Sequence, residues 1–359
     1  MVKHLRPIKR HLGDRYRKWS VDRGIGSMPT DALVPLDQAS DVLLLCSRLV
    51  RHFDPKVYAQ ELAFAHELAA RSRQFALADD PSLIFSKSVA WFLANDLVSP
   101  PLWDYSRQVY EFASGLERQG NRLFCSSDET MHWENKVHMH RMLDEIGVPT
   151  PKTKFVTSEN WRSMDFDIEP VLLKEEHSAG SSGIHHFGMA LEAREFVGRY
   201  QFRPTETLIM QEVVRGAKQD LRLTMVGHRM IEPASFWRVK SADGLERDTW
   251  TTTASKYGSS IDHENIPDSV VPMAAEYLRR LGIRTAGIDL MWIDDDVSRD
   301  PLVLELSPYY QPNPPKPERY DAWTYKQFKE KPYVKDGYVA QQYLVLREIA
   351  REILDQQLF

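Results

Sequence analysis

Two acids set in apolar runs are the residues of this chain best placed to do chemistry. They are Asp289 in Gly287-Ile-Asp-Leu290 and Glu305 in Pro301-Leu-Val-Leu-Glu-Leu-Ser-Pro308. An apolar run with one acid reads as a buried strand that fixes a carboxylate. The joining segment, Trp292-Ile-Asp-Asp-Asp-Val-Ser-Arg-Asp-Pro301, is full of turn residues, so the runs read as neighbouring strands of a hairpin. Two carboxylates side by side at low dielectric repel unless a cation lies between them. An arginine or lysine of the fold satisfies that need. So does Mg2+, which takes hard oxygen ligands together with nucleotide phosphates. These two strands alone leave both readings open.

Other segments bear on the choice. Leu172-Leu-Lys-Glu175 is an apolar strand ending in Lys174, and a small-residue loop follows it with Gly180, Ser181, Ser182 and Gly183. Backbone N–H groups of such a loop can close over phosphate oxygens, and the lysine adds a point charge. An ordinary hairpin loop has the same composition. Leu208-Ile-Met-Gln-Glu-Val-Val214 is a strand with two polar residues inside it. In the next strand Asp220, Arg222 and Thr224 alternate with Leu221, Leu223 and Met225, a period of 2 that gives one polar face. Ser235-Phe-Trp-Arg-Val-Lys240 repeats the pattern with Arg238 and Lys240.

In this order the residues resemble the ATP-grasp superfamily. The likeness is greatest to the branch holding glutathione synthetase and the ligases that add glutamate to a ribosomal protein. It runs from about Asn121 to Pro308. It rests on Lys136 opening a helix that ends in Gly147-Val-Pro-Thr-Pro151, Lys174 with its Gly loop, Gln211-Glu-Val-Val214, Asp220-Leu-Arg222, Asp289 and Glu305. The resemblance implies an α/β (α+β) architecture: an N-terminal open α/β domain, then the ATP-grasp fold with two subdomains that sandwich the nucleotide. It implies that Lys136 and Lys174 reach the phosphates of ATP and that Gly180 to Gly183 fold over them. Gln211 leads into Glu212, Val213 and Val214, the segment whose backbone would read adenine. Asp220 would hold the ribose hydroxyls. Arg222, Arg238 and Lys174 would stabilise the transferred phosphoryl group. Asp289 and Glu305 would hold Mg2+, or Mn2+ in its place, with Ser307 at a third position where the family carries Asn. A serine hydroxyl is a shorter and poorer ligand, so a water-mediated site, or a weakly active or inactive protein, stays open there. After Arg238 the related ligases carry an Arg and an Asn, whereas this chain reads Asp248-Thr-Trp-Thr-Thr-Thr-Ala254.

The implied activity is ATP-dependent joining of a carboxylate to an amine through an acyl phosphate, releasing ADP and phosphate. Small molecules or peptides would supply both groups. A kinase acting on a hydroxyl and a non-catalytic nucleotide-binding protein are the alternatives.

The remaining residues must position this set. A chain of 359 residues with 42% apolar content is enough for two or three domains with real cores. A net charge of −5 argues against bulk nucleic-acid binding. No run of 18 apolar residues is present, so no membrane span is expected. Cys46 and Cys125 read as buried free thiols in a reducing cytoplasm. Residues 1–40 form a basic arm, with eight Lys or Arg against two Asp up to Arg23, lying on the surface or meeting an anionic partner or second subunit. Residues 41–127 form the N-terminal α/β domain. Its expected elements are a strand at Asp41–Cys46 and helices at Asp54–Phe75, within Pro81–Leu97 and at Trp103–Gln119. A strand at Leu123–Cys125 closes it.

Residues 128–312 form the ATP-grasp domain, with a lid subdomain at about 152–210. A helix capped near Ser127 is expected to run to Ile146. His132, His138 and His140 within it read as solvent-facing or capping, since no zinc-ligand spacing follows. His185 and His186 read as an exposed strand edge, with a phosphate or carboxylate contact as the alternative. Residues 313–359 comprise a Pro-rich loop and a helix over Tyr338–Gln357. That helix has Val339, Tyr343, Leu346, Ile349, Ile353 and Leu354 on one stripe, to pack on the core or form a homodimer.

Overall fold

The computed structural model describes residues 5–35, 40–45, 55–78, 88–91, 105–133, 135–178, 183–240, 260–331 and 334–358. They fall into two compact units. One holds residues 1–102, 111–127 and 311–359, the other 103–110 and 128–310. The C-terminal stretch, read from the sequence as a segment of its own, clusters with the N-terminal part.

In the first unit the basic arm is a helix, α1 (Leu5–Ile25). Its apolar periodicity is weak. It is held by Val21, buried at 4% exposure, and by polar contacts in which Lys18 Nζ reaches both Asp22 and Tyr58 Oη at 2.8 Å. Then come β1 (Val42–Leu45), α2 (Pro55–Ala70), β2 (Phe75–Ala78), β3 (Ser88–Trp91), α3 (Tyr105–Arg118), which belongs to this unit from Glu111 onward, and β4 (Arg122–Phe124). The strands form an open parallel sheet in the order β2-β1-β3-β4. The helix expected to run to Phe75 stops at Ala70. The Arg71 and Arg73 amides turn back to Leu68 O at 3.0 Å, Ser72 is left-handed at φ 55°, and Phe75 opens a strand instead. Cys125 is a buried free thiol; Cys46 and most of Pro81–Leu97 lie outside the described residues.

The long helix expected before Ile146 is broken. A single turn, α4 (Ser127–Thr130), is followed by α5 (Lys136–Glu145), whose N-cap Asn135 accepts from His138 N at 2.9 Å. There follow β5 (Thr153–Thr157), β6 (Val171–Lys174), β7 (Ile184–Phe187), α6 (Ala190–Arg199) and β8 (Thr207–Glu212). These strands make an antiparallel sheet in the order β5-β8-β6-β7. Val156, Val171, Leu173, Leu208 and Met210 on one face pack with Ala193 and Val197 of α6. His185 and His186 lie half-buried on its edge strand β7.

The second sheet of this unit contains β9 (Gln219–Val226), β10 (Arg229–Met230), β11 (Phe236–Val239), β12 (Ser260–Asp262), β13 (Thr285–Met291) and β14 (Leu302–Ser307), with α7 (Val270–Leu281) between β12 and β13. The order is β12-β11-β9-β13-β14, with β10 also paired to β9. Leu221, Leu223, Met225, Ile288 and Leu290 form a core with Met139 and Leu143 of α5 and with Ala274 and Leu278 of α7. The opposite face of the same strands is polar, as the alternation requires.

The first unit is completed by α8 (Tyr325–Lys329) and α9 (Tyr338–Asp355). Val339, Tyr343, Leu346, Ile349 and Ile353 of the expected stripe are buried. Against α2 the helix also places Arg347 and Arg351 on Glu67, a carboxylate only 2% exposed that Arg71 pairs at 2.7 Å. Among the described residues, no helix is long and apolar enough to cross a membrane.

Candidate functional site

The polar face of the larger sheet gathers the predicted charges into one row. Antiparallel register sets Arg238 opposite Asp220, Arg222 opposite Asp289, and Asp289 opposite Glu305, across the strand order β11-β9-β13-β14. A bulge makes the last pairing compatible with the core. The register shifts after Asp289, so Asp289 faces Glu305 while Leu290 faces Val303 and Leu304 is skipped. Without it, strict alternation along β14 would turn Val303 to the same side as Glu305. Gly287 completes the row by having no side chain. A Cβ there would lie 3.2 Å from Arg222 Nη1 and 3.1 Å from Tyr310 Cβ.

The arginines are held tightly. Arg222 forks onto Asp289, Nε to Oδ1 and Nη2 to Oδ2 at 2.7 Å. Arg238 Nη2 reaches Asp289 Oδ2 at 2.8 Å, and its Nε reaches the fully buried Asp220 at 2.8 Å. Burial alone would raise the Asp289 pKa, but Arg222 and Arg238 overcome it and hold the carboxyl at about 2. Desolvation opposes the charge of Arg238, but Asp220 and Asp289 raise its pKa above the ordinary arginine value. For Asp289, then, the fold itself supplies the cation that the sequence requires. Glu305 differs: half-buried, it makes no ion pair or hydrogen bond among the described residues.

The donor set can be tested against Mg2+. Among the described residues no three His, Cys, Asp or Glu side chains cluster as ligands. The Ser307 hydroxyl donates to Tyr309 O at 2.7 Å and lies opposite Gly287. Asp289 Oδ1 takes one arginine N–H and keeps a lone pair, and Glu305 offers two oxygens. Two carboxylates beside a polyphosphate suit an ion that keeps several waters. The residues fit Mg2+ through Glu305 and Asp289, with Ser307 no better than a water-mediated neighbour.

The smaller sheet and α5 bring the lysines in. Lys136 opens α5; its Nζ donates to Ser178 O, and its backbone N donates to Glu176 O at 3.0 Å. Lys174, at the end of β6, donates to Gln211 Oε1 at 2.5 Å. Burial and the neighbouring Lys136 push the Lys174 pKa down to about 8, against the pull of Glu305 and Asp289. Lys174 therefore responds to the acids of the larger sheet, Glu305 and Asp289. Gly183 closes the loop after it, with Glu175 N donating to Gly183 O at 2.8 Å. Its φ is +63°, and a Cβ would lie 2.9 Å from the Glu175 carboxylate. Gly180, Ser181 and Ser182 lie outside the described residues, as does the segment from Asp248 to Ala254. In the segment after β8, Glu212 Oε1 accepts from Lys152 N at 2.8 Å and Val213 N donates to Pro170 O at 3.3 Å. The Val214 amide makes no hydrogen bond among the described residues.

The histidines of this region correct the sequence reading. His132 and His140 are 6% and 2% exposed, not solvent-facing. Each is held at about 3, His132 by burial and then His138, His140 by burial and then Lys174 and Lys136. His140 Nε2 lies 3.2 Å from Gln211 Nε2. The available signal was its place four residues after Lys136, on the same helical face. Thr153, whose Oγ1 accepts from Gln211 Nε2 at 2.9 Å, carried no such signal.

No family model and no curated protein matches the chain. Solved structures do. The ATP-grasp ligase PsnB complexed with its minimal precursor gives a TM-score of 0.50 at 14% identity, covering 76% of this chain and 92% of that one. A RimK-domain ATP-grasp protein from Sphaerobacter thermophilus gives 0.50 at 14% identity, over 85% and 98%. The D-alanine–D-alanine ligase of Bacillus anthracis gives 0.51 at 10% identity, over 89% and 100%. At such identities the likeness is one of fold.

Proposed function

The chain has the ATP-grasp fold, and from that premise we propose that it is an ATP-dependent ligase joining a carboxylate to an amine. The observation that carries the reading is the row Arg238, Asp220, Arg222, Asp289 and Glu305 on one sheet of the unit, together with the buried Lys174 at the end of β6 in the other. Lys136 and Lys174 hold the phosphates of ATP, with the loop of Gly180 to Gly183 closing over them. Glu212, Val213 and Val214 meet the adenine, and Val214 offers an uncommitted amide. Arg222 spends two of its five N–H donors on Asp289, and the other three, without partners among the described residues, face the transferred phosphoryl group in this reading. Arg238, pinned by two carboxylates, keeps both N–H groups of Nη1 free of partners among the described residues. The guanidinium groups are thus fixed before charge moves, which is where electrostatic catalysis gains most.

A carboxylate oxygen of the substrate attacks the γ-phosphorus, and the bond to the β,γ-bridging oxygen breaks, giving an acyl phosphate and ADP. The amine then attacks the acyl carbon, inorganic phosphate leaves, and the nitrogen loses a proton. Mg2+, or Mn2+, held by Glu305 and Asp289 supplies charge neutralisation on the phosphates when bound. PsnB is solved with a minimal precursor, and peptides are included among the acids and amines tested. A non-catalytic nucleotide-binding protein is the second reading. The commitment of Ser307 to Tyr309 O and of Asp289 to two arginines favours it.

An ADP-release screen with Mg2+ and paired acids and amines, amino acids and short peptides included, tests the proposal. ADP release over many turnovers is expected only where both a carboxylate and an amine are present. Accumulation of a phosphorylated hydroxyl over many turnovers without an amine would make the protein a kinase. ATP binding without ADP in any mixture would support the second reading.

A further inference from the structure

We propose that His140 is a positioning residue for nucleotide binding: through Gln211 it fixes the Lys174 ammonium in the orientation that meets phosphate. The proposal rests on the nucleotide reading above and deepens it. Three contacts form a chain. Lys174 Nζ donates to Gln211 Oε1 at 2.5 Å, Gln211 Nε2 donates to Thr153 Oγ1 at 2.9 Å, and the same nitrogen lies 3.2 Å from His140 Nε2. The Thr153 hydroxyl hydrogen is committed to Pro151 O at 2.7 Å, so toward Gln211 its oxygen can only accept. Thr153 and His140 together therefore hold the NH2 group on their side and turn the amide carbonyl to Lys174.

His140 can play this part only as the neutral tautomer with its hydrogen on Nδ1, since Nε2 must accept. That Nδ1 is buried and has no partner among the described residues. Burial and the two nearby lysines keep the ring neutral. A hydrogen on Nε2 would face the Gln211 NH2. The amide would turn, and its NH2 would press on the Lys174 ammonium. As a packing element the imidazole is a poor choice, because an unpaired buried N–H costs stability and leucine would fill similar space without that cost. Its structural return is the bond to Gln211.

The test uses the full chain. His140→Leu, His140→Gln, Lys174→Ala and the His140→Leu/Lys174→Ala double variant are compared for thermal unfolding and for calorimetric binding of a non-hydrolysable ATP analogue with Mg2+. His140→Leu is expected to unfold no earlier than wild type yet to bind about tenfold more weakly. His140→Gln, which restores an acceptor, should recover most of the affinity. The double variant should bind no worse than Lys174→Ala alone, and 15N shifts of wild type should report the Nδ1–H tautomer. Wild-type affinity in His140→Leu alongside weakened binding in Lys174→Ala would overturn this inference alone. So would a parallel fall in stability and affinity that His140→Gln does not repair. A wild-type protein that binds no nucleotide overturns the nucleotide reading and this inference with it.

Discussion

Asp289 and Glu305 are register partners with different surroundings, and replacing each by its amide separates structure from chemistry. Asp289 lies between two guanidinium groups and is 6% exposed. Its carboxyl is held at about 2 against an ordinary 3.8. Each pH unit corresponds to about 1.4 kcal/mol, so the arginines stabilise the folded charge by about 2 kcal/mol net of burial. Removing one partner of a fully buried pair costs roughly 3–5 kcal/mol. Arg238 keeps Asp220 and Arg222 is 21% exposed on its side chain, so the lower figure applies. Asp289→Asn should therefore lose about 2–3 kcal/mol, or roughly 1 M in urea midpoint at an m-value of ~2–3 kcal/mol/M. Trp237 and Trp292, with rings 5.4 Å apart in the core of this sheet, give a local fluorescence probe. Glu305→Gln removes a carboxylate with no ion pair among the described residues and relieves its repulsion with Asp289, so its midpoint should match wild type or rise slightly. Both variants should lose ADP release by at least about a hundredfold, because several kcal/mol of charge stabilisation goes with a metal ligand. Equal destabilisation by the two substitutions would refute the assignment of the arginines to Asp289. Near-normal ADP release from Glu305→Gln would refute the metal assignment.

Lys174 has a folded pKa depressed to about 8 from 10.5, so the unfolded chain holds its proton more tightly. The stability penalty is full below pH 8 and is relieved as pH rises toward 10.5. Phosphate prefers the charged form, so the dissociation constant for ATP should rise by up to tenfold per unit above about pH 8, and Lys174→Met should flatten that calorimetric profile. Ser307→Asn should be tolerated and should tighten Mg2+ in activity titrations, because an amide oxygen replaces a hydroxyl now donated to Tyr309 O. Ser307→Ala should change apparent Mg2+ affinity by less than about twofold; a tenfold loss would mean direct ligation. In the first unit, Glu67→Ala leaves Arg71, Arg347 and Arg351 without their shared carboxylate. It should cost about 2–4 kcal/mol in denaturant unfolding while leaving nucleotide affinity unchanged.

The paired strands carrying Asp289 and Glu305 were legible because period 2 and a turn-rich joint are local signals. The bulge at Leu304 was not, since it arises from matching one strand to its neighbour. Alternation in β9 showed that Asp220 and Arg222 share a face, yet their partners depend on a strand order, β11-β9-β13-β14, set by non-local pairing. That order makes arginine, not metal alone, the neighbour of Asp289. The strand Phe75-Ala-Leu-Ala has no clear local signal: the helical pattern from Asp54 runs into its first residue, Phe75, and alanine and leucine are strong helix formers. From the sequence His140 reads as a solvent-facing or capping residue rather than a zinc ligand. Its burial follows from the smaller sheet closing over α5, which no local spacing announces. The helix α1 was missed because its apolar periodicity is weak and what holds it includes polar contacts to Tyr58.

The central claim is that a substrate carboxylate attacks ATP, and the path of its oxygen tests this most directly. With an acid and amine pair that gives ADP, the acid is supplied with both carboxylate oxygens as 18O and the released phosphate is analysed by mass spectrometry. The account predicts one 18O in each phosphate formed, with the second retained in the amide. Phosphate free of label, or label-free phosphoryl transfer to a hydroxyl, would contradict it.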